Sequence, residues 1–191
     1  MISNEWSAAM NLVYRWLTSF EVDTTATTYP NVDWWSQRPT SASLTRGVKF
    51  PDDADLLLGA SVELVGGNFT TVVNPYEGTF DVIITQFFID TARNVFSYLL
   101  TIHTLLKPGG VWIKCGPLLY GTSPTIQLQR DEAIALAKEL GLENVEPGHN
   151  CGDPLLSDRR WRRAAVLYNA DPQSLSRNTY LAQHWVATKK Q

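Results

Sequence analysis

Phe80-Asp81-Val82-Ile83-Ile84-Thr85-Gln86-Phe87, then Thr91 to Leu106, then Lys107-Pro108-Gly109-Gly110, then Val111-Trp112-Ile113-Lys114-Cys115: this stretch decides the fold. The first run is a continuous apolar segment of the kind found in strands covered on both faces. From Thr91 to Leu106 the apolar residues Val95, Leu99, Ile102 and Leu106 recur at helical spacing. Pro108 cannot continue a helix and the two glycines accept a left-handed turn, so the helix stops there. Val111–Cys115 then reads as a second strand. A strand, a helix and a strand within about 35 residues form a βαβ unit, which requires parallel strands and a crossover helix on one face.

Outward from that unit the pattern continues in both directions. Val62-Glu63-Leu64-Val65 reads as a short strand ending in the turn Gly66-Gly67-Asn68-Phe69. Between Glu5 and about Phe20, Trp6, Met10, Val13 and Leu17 fall on one face of a helix, and that face needs a core to lie against. Glu21 to Asp55 has no sustained period but carries Tyr29, Trp34, Trp35 and Phe50, so it reads as a long ordered insertion and not a flexible linker. Downstream, Asp131 to Leu140 is a helix ended by Gly141. Ala164–Tyr168 and Ala182–Ala187 are strands with no helix-length gap between them, which suits an antiparallel hairpin. No internal repeat appears, and residues 1–191 read as a single α/β domain.

Composition narrows the function. The chain is 44% hydrophobic and 18% charged with a net charge of −3, which places it among ordinary globular proteins and gives no general attraction for nucleic acid. The basic run Arg159-Arg160-Trp161-Arg162-Arg163 reads as a solvated loop against that acidic balance. Cys115 and Cys151 form no CxxC pair and the three histidines are scattered, so neither a disulfide framework nor a zinc site is expected. No apolar run approaches the roughly 18 residues that span a bilayer, and Met1–Trp6 lacks a signal-peptide pattern. A reducing cytoplasmic setting follows as the expectation. The sequon at Asn68-Phe69-Thr70 carries no weight there.

Three blocks identify a family resemblance. Gln86-Phe87-Phe88-Ile89-Asp90-Thr91-Ala92-Arg93-Asn94, Leu106–Ile113 and Gly116-Pro117-Leu118-Leu119-Tyr120, in this order and spacing, resemble the carnosine N-methyltransferase family, or N2227-like domain, of class I S-adenosylmethionine (SAM) methyltransferases. Weaker likenesses lie at Asn4-Glu5-Trp6-Ser7, which corresponds to the segment just after that family's second strand, at Phe50-Pro51-Asp52 within its insertion, and at Gly67-Asn68-Phe69 at its third strand. The resemblance covers nearly the whole chain but only the rear portion of the family's domain. It implies a partial or rearranged class I sheet, mostly parallel with a C-terminal antiparallel hairpin, lacking the first strand, first helix and second strand. No Gly-x-Gly turn of the kind that cradles the cofactor occurs. In such a sheet the Phe80–Phe87 strand would be left with an exposed apolar edge, which soluble proteins avoid, so the expected cover is the aromatic Glu21–Asp55 stretch, a second copy or a partner chain carrying the missing front half, or none if the sequence is a truncated product.

The resemblance also implies roles. Glu5 matches the acidic residue that binds the SAM ribose, Asn68 and Phe69 the adenine-side pair, with Asn where the family has Asp, and Gln86 and Phe87 the lining of the methionine side. Asp90 and Tyr180 match substrate-holding and catalytic positions, and Tyr120 a substrate-facing one. Each has a plainer reading: Glu5 as a residue favoured by a helix N-terminus, Gly66–Asn68 as a simple turn, Asp90 as a helix cap. Gly121 stands where the family has a histidine facing the imidazole substrate. The implied activity is SAM-dependent N-methylation of a small imidazole-, amine- or peptide-like molecule. Two alternatives stay open: a non-catalytic relic or subunit needing a partner or self-association, and a SAM-independent enzyme of secondary metabolism reusing the pocket.

Overall fold

The computed structural model describes residues 1–19, 25–50, 61–121, 123–148, 153–155, 158–168 and 171–191. Its chain groups into two compact units, Met1–Val72 with Asn169–Asn178, and Val73–Tyr168 with Thr179–Gln191.

In the first unit, β1 (Ile2–Glu5) pairs in parallel with β4 (Glu63–Gly66), Ile2 opposite Glu63 and Glu5 opposite Gly66. The Asn4 side-chain amide extends the pairing by donating to the carbonyls of Val65 at 2.9 Å and Gly67 at 3.1 Å. This corrects the expectation that the segment at Asn4 follows a strand: Ile2–Glu5 is itself a strand, and its backbone groups are satisfied by β4. Helix α1 (Ala8–Leu17) accordingly starts later than Glu5, capped by Ser7, whose hydroxyl accepts from Met10 N–H. No residue of α1 is buried, and Trp6 and Met10 stay 66% and 58% exposed. Within the aromatic insertion, β2 (Ala26–Thr28) pairs antiparallel with β3 (Val48–Phe50), and a single-turn helix α2 (Ser41–Leu44) is capped by Thr40. The likeness at Pro51-Asp52 lies outside the described residues. Asp171 ties this unit together, accepting from Arg38, from Arg46 at 2.9 Å and from the backbone of Gln173. A further one-turn helix, α3 (Phe69–Val72), follows β4.

The second unit holds a six-stranded sheet in the order β5-β6-β10-β9-β8, with β7 also paired to β10. Its strands are β5 (Phe80–Gln86), β6 (Leu106–Gly116), β7 (Leu142–Val145), β8 (Asp153–Leu155), β9 (Asp158–Tyr168) and β10 (Asn178–Lys189). The βαβ expectation holds: β5 and β6 are parallel, joined through helix α4 (Val95–Leu105). Among the described pairings of this sheet β5–β6 is parallel, whereas β10 runs antiparallel to both β6 and β7, and β8 to β9.

Lys107–Gly110 does not end the ladder as a separate turn. The partner of Phe80 is Leu106 and that of Val82 is already Val111, so the four residues bulge within β6, with Gly109 at φ +78°. Helix α5 (Arg130–Glu139) ends one residue before Leu140, ahead of Gly141 at φ +88°.

Burial along β6 alternates, so that Trp112, Lys114 and Gly116 face the interior with Trp185 and Ala187 of β10. The Trp112 and Trp185 rings meet edge to face at 5.9 Å. Val95, Leu99, Ile102 and Leu105 of α4 complete this core. On β5 the situation differs: Val82 is 49% and Ile84 66% exposed, and β5 is an edge strand of the sheet. No helix among the described residues is long and apolar enough to cross a membrane.

Candidate functional site

At the C-terminal ends of β5 and β6 the second unit gathers Gln86, Phe87, Asp90 and the loop Gly116–Tyr120. Strand β5 ends at Gln86, and Phe87 turns sharply at φ +49°, its N–H donating to Cys115 O at 2.8 Å. A non-glycine residue rarely occupies that region, so the turn is held by its surroundings. Gly116 shows how: a Cβ there would lie 2.9 Å from Phe87 N, and its φ of +132° suits glycine alone. The two strand ends are pressed backbone to backbone.

Asp90 sits in a 3-10 turn, Ile89–Thr91, and is buried. It does not cap α4; Asn94 does, accepting from Phe96 N–H at 3.0 Å. Asp90 Oδ2 instead accepts Leu119 N–H at 3.0 Å, from the loop that leaves β6. The plainer reading of Asp90 as a helix cap is thus replaced by a buried carboxylate shared between two strand ends. A buried carboxylate needs hydrogen-bond partners, and Leu119 N–H is one of them.

Facing these ends are three rings. Phe87 stacks on Tyr168 with centroids 5.4 Å apart, and Tyr180 meets Phe87 edge-on at 6.0 Å and Tyr168 at 5.4 Å. Tyr168 is the residue sequence reasoning missed. It closes β9, and β9 lies beside β10, so the expected pairing of Ala164–Tyr168 with Ala182–Ala187 held the signal. Such a cluster of partly exposed aromatic faces attracts cations and flat heterocycles.

Tyr120 is used differently. Its hydroxyl donates to Leu128 O at 2.9 Å, its φ is +51°, and its phenol is pushed above the ordinary range by burial. It lines a cavity of about 370 Å³ with Leu118, Leu128, Arg130 and Gln183. Gly121 is exposed, and a Cβ there would meet nothing within 4 Å, so a side chain at this position has room. The Cys115 thiol lies 3.6 Å from His184 Nε2; burial raises the thiol and lowers the imidazole, leaving both neutral near pH 7.

The remaining sequence-derived positions belong to the first unit. Glu5 ends β1, and its Oε1 accepts Ser7 N–H at 2.7 Å. Asn68 Oδ1 accepts from both the backbone and the hydroxyl of Thr70 at 3.0 Å, starting α3. Phe69 is buried. Gly67, at φ +131°, would place a Cβ 2.7 Å from Val72 Cγ1. Glu5, Gly66, Gly67 and Asn68 all lie at the C-terminal ends of the parallel pair β1–β4, the end at which open α/β sheets bind ligands.

Comparison with known proteins adds the following. The family model described as carnosine N-methyltransferase matches residues 1–191. The carnosine N-methyltransferase of Rattus norvegicus is 40% identical over 121 residues, 61% of this chain and 30% of the relative. That of Schizosaccharomyces pombe is 28% identical over 177 residues, 83% of this chain and 44% of the relative. The chain therefore spans less than half the length of either curated relative. Among solved structures, a putative methyltransferase of Bacillus halodurans aligns with a TM-score of 0.49 at 11% identity, over 72% of this chain and 77% of that one.

Proposed function

Because the chain belongs to the carnosine N-methyltransferase family, we propose that it takes part in SAM-dependent methylation of a nitrogen on a small imidazole-, amine- or peptide-like substrate, held by Asp90 and the rings of Phe87, Tyr168 and Tyr180. The observation that carries this reading is the cluster of the Phe87, Tyr168 and Tyr180 rings in the same unit as the buried Asp90 carboxylate, with Phe87 at the β5 end from which Asp90 follows. A carboxylate accepts from an imidazole or ammonium N–H, and the rings favour the same cationic or heteroaromatic group. Holding the nitrogen with its lone pair aimed at a methyl group is what a displacement at carbon needs from a protein.

SAM, when bound, supplies an electrophilic methyl group on sulfur. The residues available to hold it fit in kind: the Glu5 carboxylate suits two ribose hydroxyls and the Asn68 amide an adenine edge. Each also spends one oxygen on the chain itself, Glu5 on Ser7 and Asn68 on Thr70. In the second unit, Gln86, exposed at the end of β5, and the half-buried Phe87 match the family's methionine-side positions by resemblance alone. The test is methyl transfer from labelled SAM to imidazole dipeptides and simple amines by the purified chain, with Asp90→Ala as control. Label in an N-methyl product that depends on Asp90 supports the proposal, and label independent of Asp90 sinks it.

A second reading is favoured by a separate observation. Edge strand β5 leaves Val82 and Ile84 exposed, and α1 buries none of its residues. Unpaired apolar edges invite another chain. In that reading the protein works as a subunit, paired with a second copy or a partner that covers β5.

A further inference from the structure

Lys114 is only 1% exposed, near the C-terminal end of β6, against the core ring of Trp185. Burying an ammonium is costly unless it is paired or hydrogen-bonded. Its Nζ lies 4.5 Å from the centroid of the Trp185 ring, and it donates to Gly116 O and, at 3.2 Å, to Pro117 O. A methionine would fill the same space without the desolvation cost, so what lysine adds here is a set of donors aimed at two consecutive carbonyls.

Those carbonyls open the loop that delivers Leu119 N–H to Asp90 and presses Gly116 against Phe87. The loop begins at a glycine with φ +132° and ends at Tyr120 with φ +51°, whose hydroxyl is tied to Leu128 O. We propose that Lys114 is a positioning residue of the substrate site: its buried ammonium clamps the Gly116 and Pro117 carbonyls so that the loop presents Leu119 N–H to Asp90 and holds the turn of Phe87. The charged groups around it are consistent with the role. Burial lowers its pKa to about 8, while Asp90 and Cys115 act to raise it; His184 lies near enough that Lys114 helps hold its imidazole neutral.

The functional consequence rests on the reading that Asp90 faces substrate; the clamp itself does not. Amide hydrogen exchange read by NMR on the full chain tests it. In Lys114→Met the Leu119 amide should exchange about tenfold faster or more, beyond any change in the core amides of Ile102 and Trp112, and Lys114→Arg should restore most of the protection. An unchanged Leu119 amide, or one that accelerates only as much as Ile102, overturns the proposal. Titration of an imidazole dipeptide into the wild-type chain separates the two ideas: no binding with the Leu119 pattern intact would defeat the substrate reading and leave the clamp standing.

Discussion

Above pH 8 Lys114 should make a growing favourable contribution to this protein's unfolding free energy. Its pKa is lowered from 10.5 to about 8 by burial. Below pH 8 both the native and unfolded chains carry the proton, and the full penalty of a buried ammonium is present. Between about 8 and 10.5 the unfolded chain binds a proton that the native chain does not, so stability rises with pH; above 10.5 the gain is complete. At about 1.4 kcal/mol per pH unit, the gap is worth about 3 kcal/mol. Cys115 works the other way, because burial raises its thiol and the native chain then holds a proton the unfolded one loses. His103 and His184 are lowered and act only below about pH 6.5, outside the window. The clean quantity is therefore a difference: urea unfolding of wild type and Lys114→Met, followed by tryptophan fluorescence on both sides of pH 8. The wild-type curve should steepen against the variant by about 3 kcal/mol across the window. Parallel curves would show that Lys114 is not buried as charged cargo, and the clamp would lose its physical basis.

Other outcomes follow from the same geometry. Asp90→Ala should leave Leu119 N–H without a partner and cost about 1–2 kcal/mol in chemical denaturation, while Asp90→Asn keeps an acceptor and most of the stability; both should lose substrate binding, since neither carries the charge. Ile84→Lys, at a position 66% exposed on the β5 edge, should change monomer stability by less than about 0.5 kcal/mol yet lower any self-association seen by light scattering. Gly121→His meets open space, so it should fold with an unchanged melting temperature; tighter binding of imidazole substrates in calorimetry would place that side chain at the substrate.

The parallel βαβ core was legible because its periods are long and its punctuation strong: Val95, Leu99 and Ile102 mark α4, and every one of them is buried. Less legible was anything decided by pairing partners. Ile2–Glu5 is too short and too polar to read as a strand alone, and it becomes one through β4 and the Asn4 amide. Leu142–Val145 was likewise absent from the sequence reading, because β10 supplies its ladder. For the site, Asp90 was visible in its block, but its plainer reading was a helix cap; the structure shows instead that Asn94 caps and Asp90 receives Leu119 from the Gly116–Tyr120 loop. Lys114 gave no signal at all, since a charged residue in an apolar strand reads as facing solvent until it is seen buried against the Trp185 ring.

The central claim is that Asp90 and the Phe87, Tyr168 and Tyr180 rings form one substrate site. Its most direct test is NMR titration of an imidazole dipeptide into the wild-type chain and into Asp90→Asn. The account requires saturable shifts concentrated at Phe87, Tyr168 and Tyr180 in the wild type and their loss in the variant; equal binding by both proteins, or shifts centred elsewhere, would contradict it.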